Sequence, residues 1–368
     1  KIDQFIPGVS LATGDIFDDP TLSRLGTALL KSRYREIAGF ANGTLHLTER
    51  FDITAGARLS EIKQRTSQES GGVLAGGESP PEFGRSKENV FTYSLSPRFD
   101  INDQTAVYAR VAKGYRPGGP NILPATAPAD VPRSYDADTI ISYEAGIKSD
   151  IGRRLSFDLS VYHLKWKDIQ LFTVIDNFGL NANGGSAVSN GIEGTLTLRP
   201  MTGMRLSLNG ALIDAHLTED TPPLVGGFDN DDLPYTPKVS FGVNGDYEWQ
   251  LAGTTTYVGA SVRFVGRQRD NFVAGEIVGV DPDTGEFQFE FSPQRRIPRY
   301  ATLDLRAGAE LGRFTVDAFV RNVTNSKGVN SLSTFTDELT GGNPLPNDAI
   351  RAALTQPRTI GFTVGTEF

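Results

Sequence analysis

From residue 36 to the C-terminal Phe368, apolar and polar side chains alternate in block after block, and that period of two confines the chain to strands. In Leu155–Tyr162, Leu155, Phe157, Leu159 and Val161 share one face, while Ser156, Asp158, Ser160 and Tyr162 share the other. Met204–Leu212, Val239–Trp249 and Phe314–Arg321 repeat the pattern. Read this way, the chain is all-β, with about 13 strands near 36–47, 51–65, 88–100, 104–115, 139–151, 154–166, 186–199, 203–216, 237–250, 254–267, 299–310, 313–323 and 358–368.

Alternation alone does not choose the solvent, since a soluble sandwich also hides one face of each strand. The connections separate the two cases. Short joints (Thr48–Arg50, Ile101–Asp103, Gly152–Arg153, Pro200–Gly203, Leu251–Gly253, Leu311–Gly312) alternate with long ones (Glu61–Lys87, Gly114–Asp138, Lys167–Gly185, Leu217–Thr236, Gln268–Pro298, Thr324–Pro357). Short turns on one rim and long loops on the other is the construction of a transmembrane antiparallel β-barrel of the bacterial outer membrane, long loops outward. A sandwich has no reason to sort its loops so.

With the short turns placed at the periplasmic rim, Phe51, Phe99, Trp249, Phe314 and Phe368 fall near that rim on the apolar faces of their strands, as an interfacial aromatic girdle requires. Tyr115 and Phe264 are expected on the same face at the outer rim. The opposite face carries Arg58, Arg98, Arg110, Glu144, Lys148, Asp158, Glu193, Arg205, Arg263, Asp304, Arg306, Asp317 and Arg321. Such charges are costly in hydrocarbon, so that face is read as the lumen wall, its mixed signs paired with one another and with something inside.

Composition agrees and excludes alternatives. No run of about 18 apolar residues is present, so no transmembrane helix is expected. The net charge of −8 argues against a nucleic-acid partner. Cysteine is absent, which decides nothing.

Several segments resemble the barrel of TonB-dependent outer-membrane receptors. They are Glu36–Ser60 (EIAGFANGTLHLTERFDITAGARLS), Ser94–Asn121 (SLSPRFDINDQTAVYARVAKGYRPGGPN), Tyr143–Lys148 (YEAGIK), Asn190–Thr197 (NGIEGTLT), Asn322–Asn325 (NVTN) and the terminal Pro357–Phe368 (PRTIGFTVGTEF). Each is short; their order and spacing carry the likeness. The resemblance implies a 22-stranded, plugged barrel. An odd strand count cannot leave both ends in the periplasm, so the strand from Glu36 is expected to be the tenth of 22. Residues 1–35 would then be the tail of an extracellular loop and 36–368 the C-terminal part of the barrel. The family's N-terminal plug and TonB-contacting box are not in this sequence.

The same resemblance implies a protein of the outer membrane, held in lipid, that takes up a scarce nutrient with energy from the TonB complex. The ligand is expected to be a small molecule such as a ferric siderophore, a vitamin or an oligosaccharide. No cofactor is expected. A passive porin, and an outer-membrane enzyme, are the rival readings. His46, His163 and His216 fall on different strands and at different heights, and no catalytic constellation stands out. The acidic stretches Asp281–Glu286 and Asp229, Asp231 and Asp232 read as turn chemistry rather than an ion site. Pro117–Pro120 (PGGP) reads as a loop base rather than a phosphate loop, because no strand–loop–helix context surrounds it. Candidate ligand contacts in the long loops are Arg116, Trp166, Phe172, Phe178, Asn181, Asn183, Arg267, Arg269 and Phe272, because aromatic, amide and guanidinium groups can hold a sugar or an anionic chelate.

Overall fold

The computed structural model of the chain describes residues 2–6, 26–71, 80–123, 131–175, 178–223, 225–273, 276–280, 287–334 and 350–366. Fourteen strands form one antiparallel sheet. They are β1 (Ile2–Ile6), β2 (Gly26–Thr48), β3 (Phe51–Gly71), β4 (Glu82–Asn102), β5 (Thr105–Arg116), β6 (Asp138–Ile151), β7 (Leu155–Lys167), β8 (Ala187–Leu198), β9 (Met204–Leu217), β10 (Val239–Leu251), β11 (Thr254–Val265), β12 (Tyr300–Leu311), β13 (Phe314–Arg321) and β14 (Thr359–Thr366). Each pairs with its neighbours in sequence, so the sheet is a continuous meander. All 13 expected strands are present, and β1 adds a short rung against Gly26–Leu30.

One sheet, rather than two stacked ones, separates the barrel from the sandwich. A sandwich would bury one face of every strand against a second sheet. Here the apolar face stays open: Leu159 is 47% and Phe362 78% exposed. Many of the buried apolar residues, among them Leu180, Leu217 and Ile297, lie instead in the loops or at the loop ends of the strands. Large apolar side chains facing outward in register are what a lipid-facing wall presents.

Register keeps the two faces apart across the sheet. Leu159 stands opposite Ile147 and Gly194, and Phe241 stands opposite Phe264 with their rings stacked at 4.9 Å. On the other face Asp158 stands opposite Lys148, and Gly242 opposite Arg263. At the periplasmic rim Phe51 faces Phe99, and Trp249 stacks on Tyr247. Phe368 lies outside the described residues. A two-residue turn joins β10 to β11 through Ala252 and Gly253, both at positive φ (51° and 81°), the backbone that a tight hairpin needs.

A repeated device smooths the inner face. Tyr108, Tyr162, Tyr257 and Phe319 each stand directly opposite a glycine, Gly146, Gly191, Gly308 and Gly361 respectively. Each ring lies so close to its glycine that an added Cβ would meet it at 2.3–2.6 Å. Aromatic cover of a glycine on the neighbouring strand keeps the ladder regular where a side chain is missing.

The structure departs from expectation in two places. The strands β2, β3 and β4 run to 23, 21 and 21 residues, well beyond what a bilayer requires. Their upper rungs, up to Thr27 opposite Gly71, include residues 26–35, which were expected within a loop. Polar residues occupy both faces there (Lys31, Ser32, Arg33; Lys63, Gln64, Arg65), so alternation fades although hydrogen bonding continues.

Tyr115, expected at the outer rim on the lipid face, instead directs its hydroxyl to Glu36 Oε1 at 3.5 Å, beside the Glu36–Arg58 ion pair. The β4–β5 ladder ends at Ser94 opposite Ala112. Beyond that rung β5 is free to lean across β3 and β4, which moves Tyr115 off the face its number implies.

Candidate functional site

The outer mouth is built where the long loops fold over the tops of β5 to β11. Its anchor is Asp138, the first residue of β6, with 1% of its surface exposed. Arg116, at the end of β5 and directly opposite, donates from Nε to Oδ2 at 2.8 Å and from a terminal nitrogen to the same oxygen. Trp166, on β7, donates its indole N–H to that carboxylate at 3.0 Å. The guanidinium carbon lies 5.2 Å from the Trp166 ring centroid, so charge pairing and cation–π contact act on one cation.

Two loops are tied together above this anchor. The side-chain amide of Gln170 donates to the carbonyls of Pro117 (3.0 Å) and Asp136 (3.1 Å). Asn183 donates to the carbonyls of Asp136 and Asp168, while Asn121 donates to the carbonyl of Asn181 at 2.7 Å and accepts from its N–H. Glu88 accepts the N–H groups of Gly118 and Ala137. Side-chain amides and a carboxylate thereby satisfy backbone groups that loops leave without ladder partners. Pro117–Pro120 is accordingly a loop base, with Gly119 and Pro120 paired to Tyr135 and Ser134.

A second junction centres on Tyr235, whose backbone sits at φ 53°. Its hydroxyl lies against the Asp270 carboxylate and 3.0 Å from the Leu332 carbonyl oxygen, so three loops meet at one phenol. Burial first, and then the Asp270 carboxylate, push the phenol above its ordinary pKa.

The expected contact residues separate into groups. Arg116 and Trp166 come together on Asp138. Phe272, like Trp166, Leu171 and Leu233, packs against the buried cluster of Ile169, Ala187 and Leu217. Asn181 and Asn183 are engaged in loop ties. Arg269 pairs with Asp232 at 3.6 Å, whereas Arg267 is exposed and makes no ion pair with a described residue. Phe172 projects outward from the hairpin Gln170–Ile175/Phe178–Asn183, and the side chain of Phe178 lies outside the described residues.

Sequence reading missed Asp138, Tyr235 and the aromatic group of Phe228, Phe289 and Phe291, in which Phe228 meets Phe291 edge-on at 4.8 Å. Only Asp138 carried a signal, as an acid at a strand start opposite Arg116. Of the acidic stretches, Asp281–Glu286 lies outside the described residues, while Asp231 accepts the Phe228 N–H and Asp232 pairs with Lys238 at 3.1 Å. The histidines engage separate partners: His46 with Asp52, His163 with Asn190 and His216 with Asp214.

Below the mouth the inner face forms a polar trough of about 930 Å³, with Tyr108, Glu144, Asp158 and Arg263 in its wall and Tyr235 and Tyr300 toward the loops. Several charges of this wall pair across strands: Arg58 with Glu36 (2.6 Å), Lys148 with Asp158 (2.7 Å) and Arg306 with Asp246 (2.6 Å). Among the described residues, Arg110, Glu193, Arg205 and Arg263 have no such partner.

Residues 9–323 match the family described as "TonB dependent receptor-like, beta-barrel". The pesticin receptor of Yersinia pestis is 29% identical over 310 residues, which are 83% of this chain and 41% of that receptor. The pesticin receptor of Yersinia enterocolitica serotype O:8 / biotype 1B is 30% identical over 231 residues, 62% of this chain and 33% of its own length. The chain therefore spans about two fifths or less of these relatives. Among solved structures, the ferric yersiniabactin uptake receptor FyuA from Yersinia pestis has a TM-score of 0.74 at 23% identity, covering 96% of this chain and 48% of that one. The closed form of the ferric-catecholate import receptor Fiu from E. coli K12 has a TM-score of 0.69 at 17% identity, covering 100% and 50%. At these identities the likeness is one of fold.

Proposed function

This chain belongs to the TonB-dependent receptor-like β-barrel family of the outer membrane, and we propose that it is part of the wall of a receptor that takes up a ferric siderophore with energy from TonB. The observation that carries the reading is the agreement in sequence with receptors named for pesticin, together with the fold of a ferric yersiniabactin uptake receptor over 96% of the chain. The mouth suits the task. Its loops are tied by side-chain hydrogen bonds, while Arg267 and Phe172 stay exposed, one a cation for an anionic chelate and the other an aromatic face. Arg116 and Trp166 would act from beneath, by setting the loop base on which the ligand rests.

The unpaired lumen charges Arg110, Glu193, Arg205 and Arg263 supply contacts for a protein plug inside the barrel. A plug makes binding and transport separate steps, whereas an open porin passes solute down its gradient. The test is uptake of a radiolabelled ferric siderophore by cells carrying the complete gene, with and without TonB. Surface binding that survives TonB deletion while uptake stops supports the receptor. Uptake that continues unchanged, linear in concentration, establishes the porin instead.

A further inference from the structure

Two of the long loops carry charge of one sign only. Residues 218–237, between β9 and β10, hold five acids and no lysine, arginine or histidine. Residues 270–294, between β11 and β12, hold six acids and again no base. Together these acids outnumber the net charge of −8 on the whole chain, so its excess negative charge is concentrated here. Of those in described residues, only Asp232 enters an ion pair, with Lys238 and Arg269. A one-signed region of this kind raises the local concentration of soluble cations.

Aromatic rings join the same two loops. Phe228 of the first meets Phe291 of the second edge-on, with centroids 4.8 Å apart, and Phe289 lies 6.2 Å from Phe291. Phe228 remains 41% exposed, and none of the three belongs to the buried apolar clusters of the loops. Their neighbours along the chain are acids: Asp229 and Asp231 follow Phe228, and Glu290 separates Phe289 from Phe291. The Asp231 carboxylate accepts the Phe228 N–H, which holds that acid close to the aromatic group.

This pairing of features selects one kind of guest. A hard metal ion takes oxygen ligands and gains little from a phenyl ring. An anion is repelled, and a neutral apolar group has no use for the acids. An organic cation uses both, because the negative face of a ring attracts it within about 6 Å and carboxylates attract it from further away.

We propose that Phe228, Phe289 and Phe291 form a binding site for the ammonium group of a small organic cation. Arg267 and Arg296, exposed beyond the ends of the second acidic run, give the same loop a basic base beneath an acidic tip. A ligand that spans both is zwitterionic, with an anionic chelating end and an amine arm. That the cation is an arm of the transported chelate rests on the receptor reading, whereas the aromatic site itself does not.

The complete receptor in octyl glucoside micelles, free of choline headgroups, should bind a dansyl-labelled choline ester. A neutral counterpart with carbon in place of the quaternary nitrogen should bind roughly tenfold more weakly. Phe228→Leu and Phe291→Leu keep an apolar side chain but remove the ring, and each should weaken binding of the cation by roughly fivefold while leaving the neutral counterpart unchanged. Asp229→Asn with Asp231→Asn should weaken the cation alone and flatten its salt dependence. Phe83→Leu, an exposed ring on β4, is the control and should change nothing. The probe carries no iron, so its binding is read apart from uptake, and a failed site would leave the receptor reading standing. Equal binding of cation and neutral counterpart, unchanged affinity in both leucine variants, or displacement of the probe by micromolar calcium would each overturn the proposal.

Discussion

Arg116 and Asp138 close the last rung of the β5–β6 ladder, the guanidinium gripping a carboxylate almost wholly removed from solvent. An arginine at a loop base can thus serve the fold before it serves a ligand. Removing the cation leaves a buried charge with only neutral donors, whereas Asp138→Asn removes that charge.

Arg116→Ala is therefore expected to destabilise the loop platform by about 1–3 kcal/mol, the range for a charge-assisted contact whose cation is half exposed. The readout is protease sensitivity of the segment 117–137 in the membrane-inserted receptor. Unchanged protection would place the role of Arg116 at the ligand alone.

Leu159 and Asp158 should report opposite solvents. Leu159→Arg near the bilayer midplane should cost about 2–4 kcal/mol of folding stability. Single cysteines at the two positions should give lipid-probe labelling at 159 and none at 158. The reverse pattern would contradict the assigned faces.

The aromatic–glycine pairs predict unequal responses to alanine. At Gly361 the three atoms nearest the added methyl all belong to the Phe319 ring, which can swing aside. At Gly308 it would meet the Tyr257 ring at 2.5 Å and also the Val316 carbonyl oxygen at 2.8 Å, which cannot. Gly308→Ala should cost about 1–3 kcal/mol, as overpacking does, and more than Gly361→Ala. Urea unfolding of the receptor in vesicles would rank them; equal midpoints would refute the steric account.

Tyr235 supplies a pH dependence. Its phenol is held above the usual value, so its contribution to the three-loop junction is full below pH 10 and is lost as pH rises through the elevated folded value. Phenolate absorbance should lose one late-titrating tyrosine in Tyr235→Phe. That substitution should also loosen the junction by about 1–2 kcal/mol. A Tyr235 that titrates at its ordinary value would dissolve the proposed tie.

The strands, their faces and the rim of short turns could be read from the residues alone. A strand's side-chain period is a property of its own backbone, so Leu159 and Asp158 declare their faces without any partner. The candidate mouth was legible only as a set of residue types. Arg116 and Trp166 were both singled out, but Asp138, which joins them, was not, and Phe272 packs on the same buried cluster as Trp166 from a loop about 100 residues away. Such contacts depend on where loops of irregular backbone fold back, and no local period encodes that. Tyr115 marks the boundary most clearly. Its position in the alternation assigned it to lipid, yet where the β4–β5 ladder ends the strand is released, and tertiary contact with Glu36 decided its place.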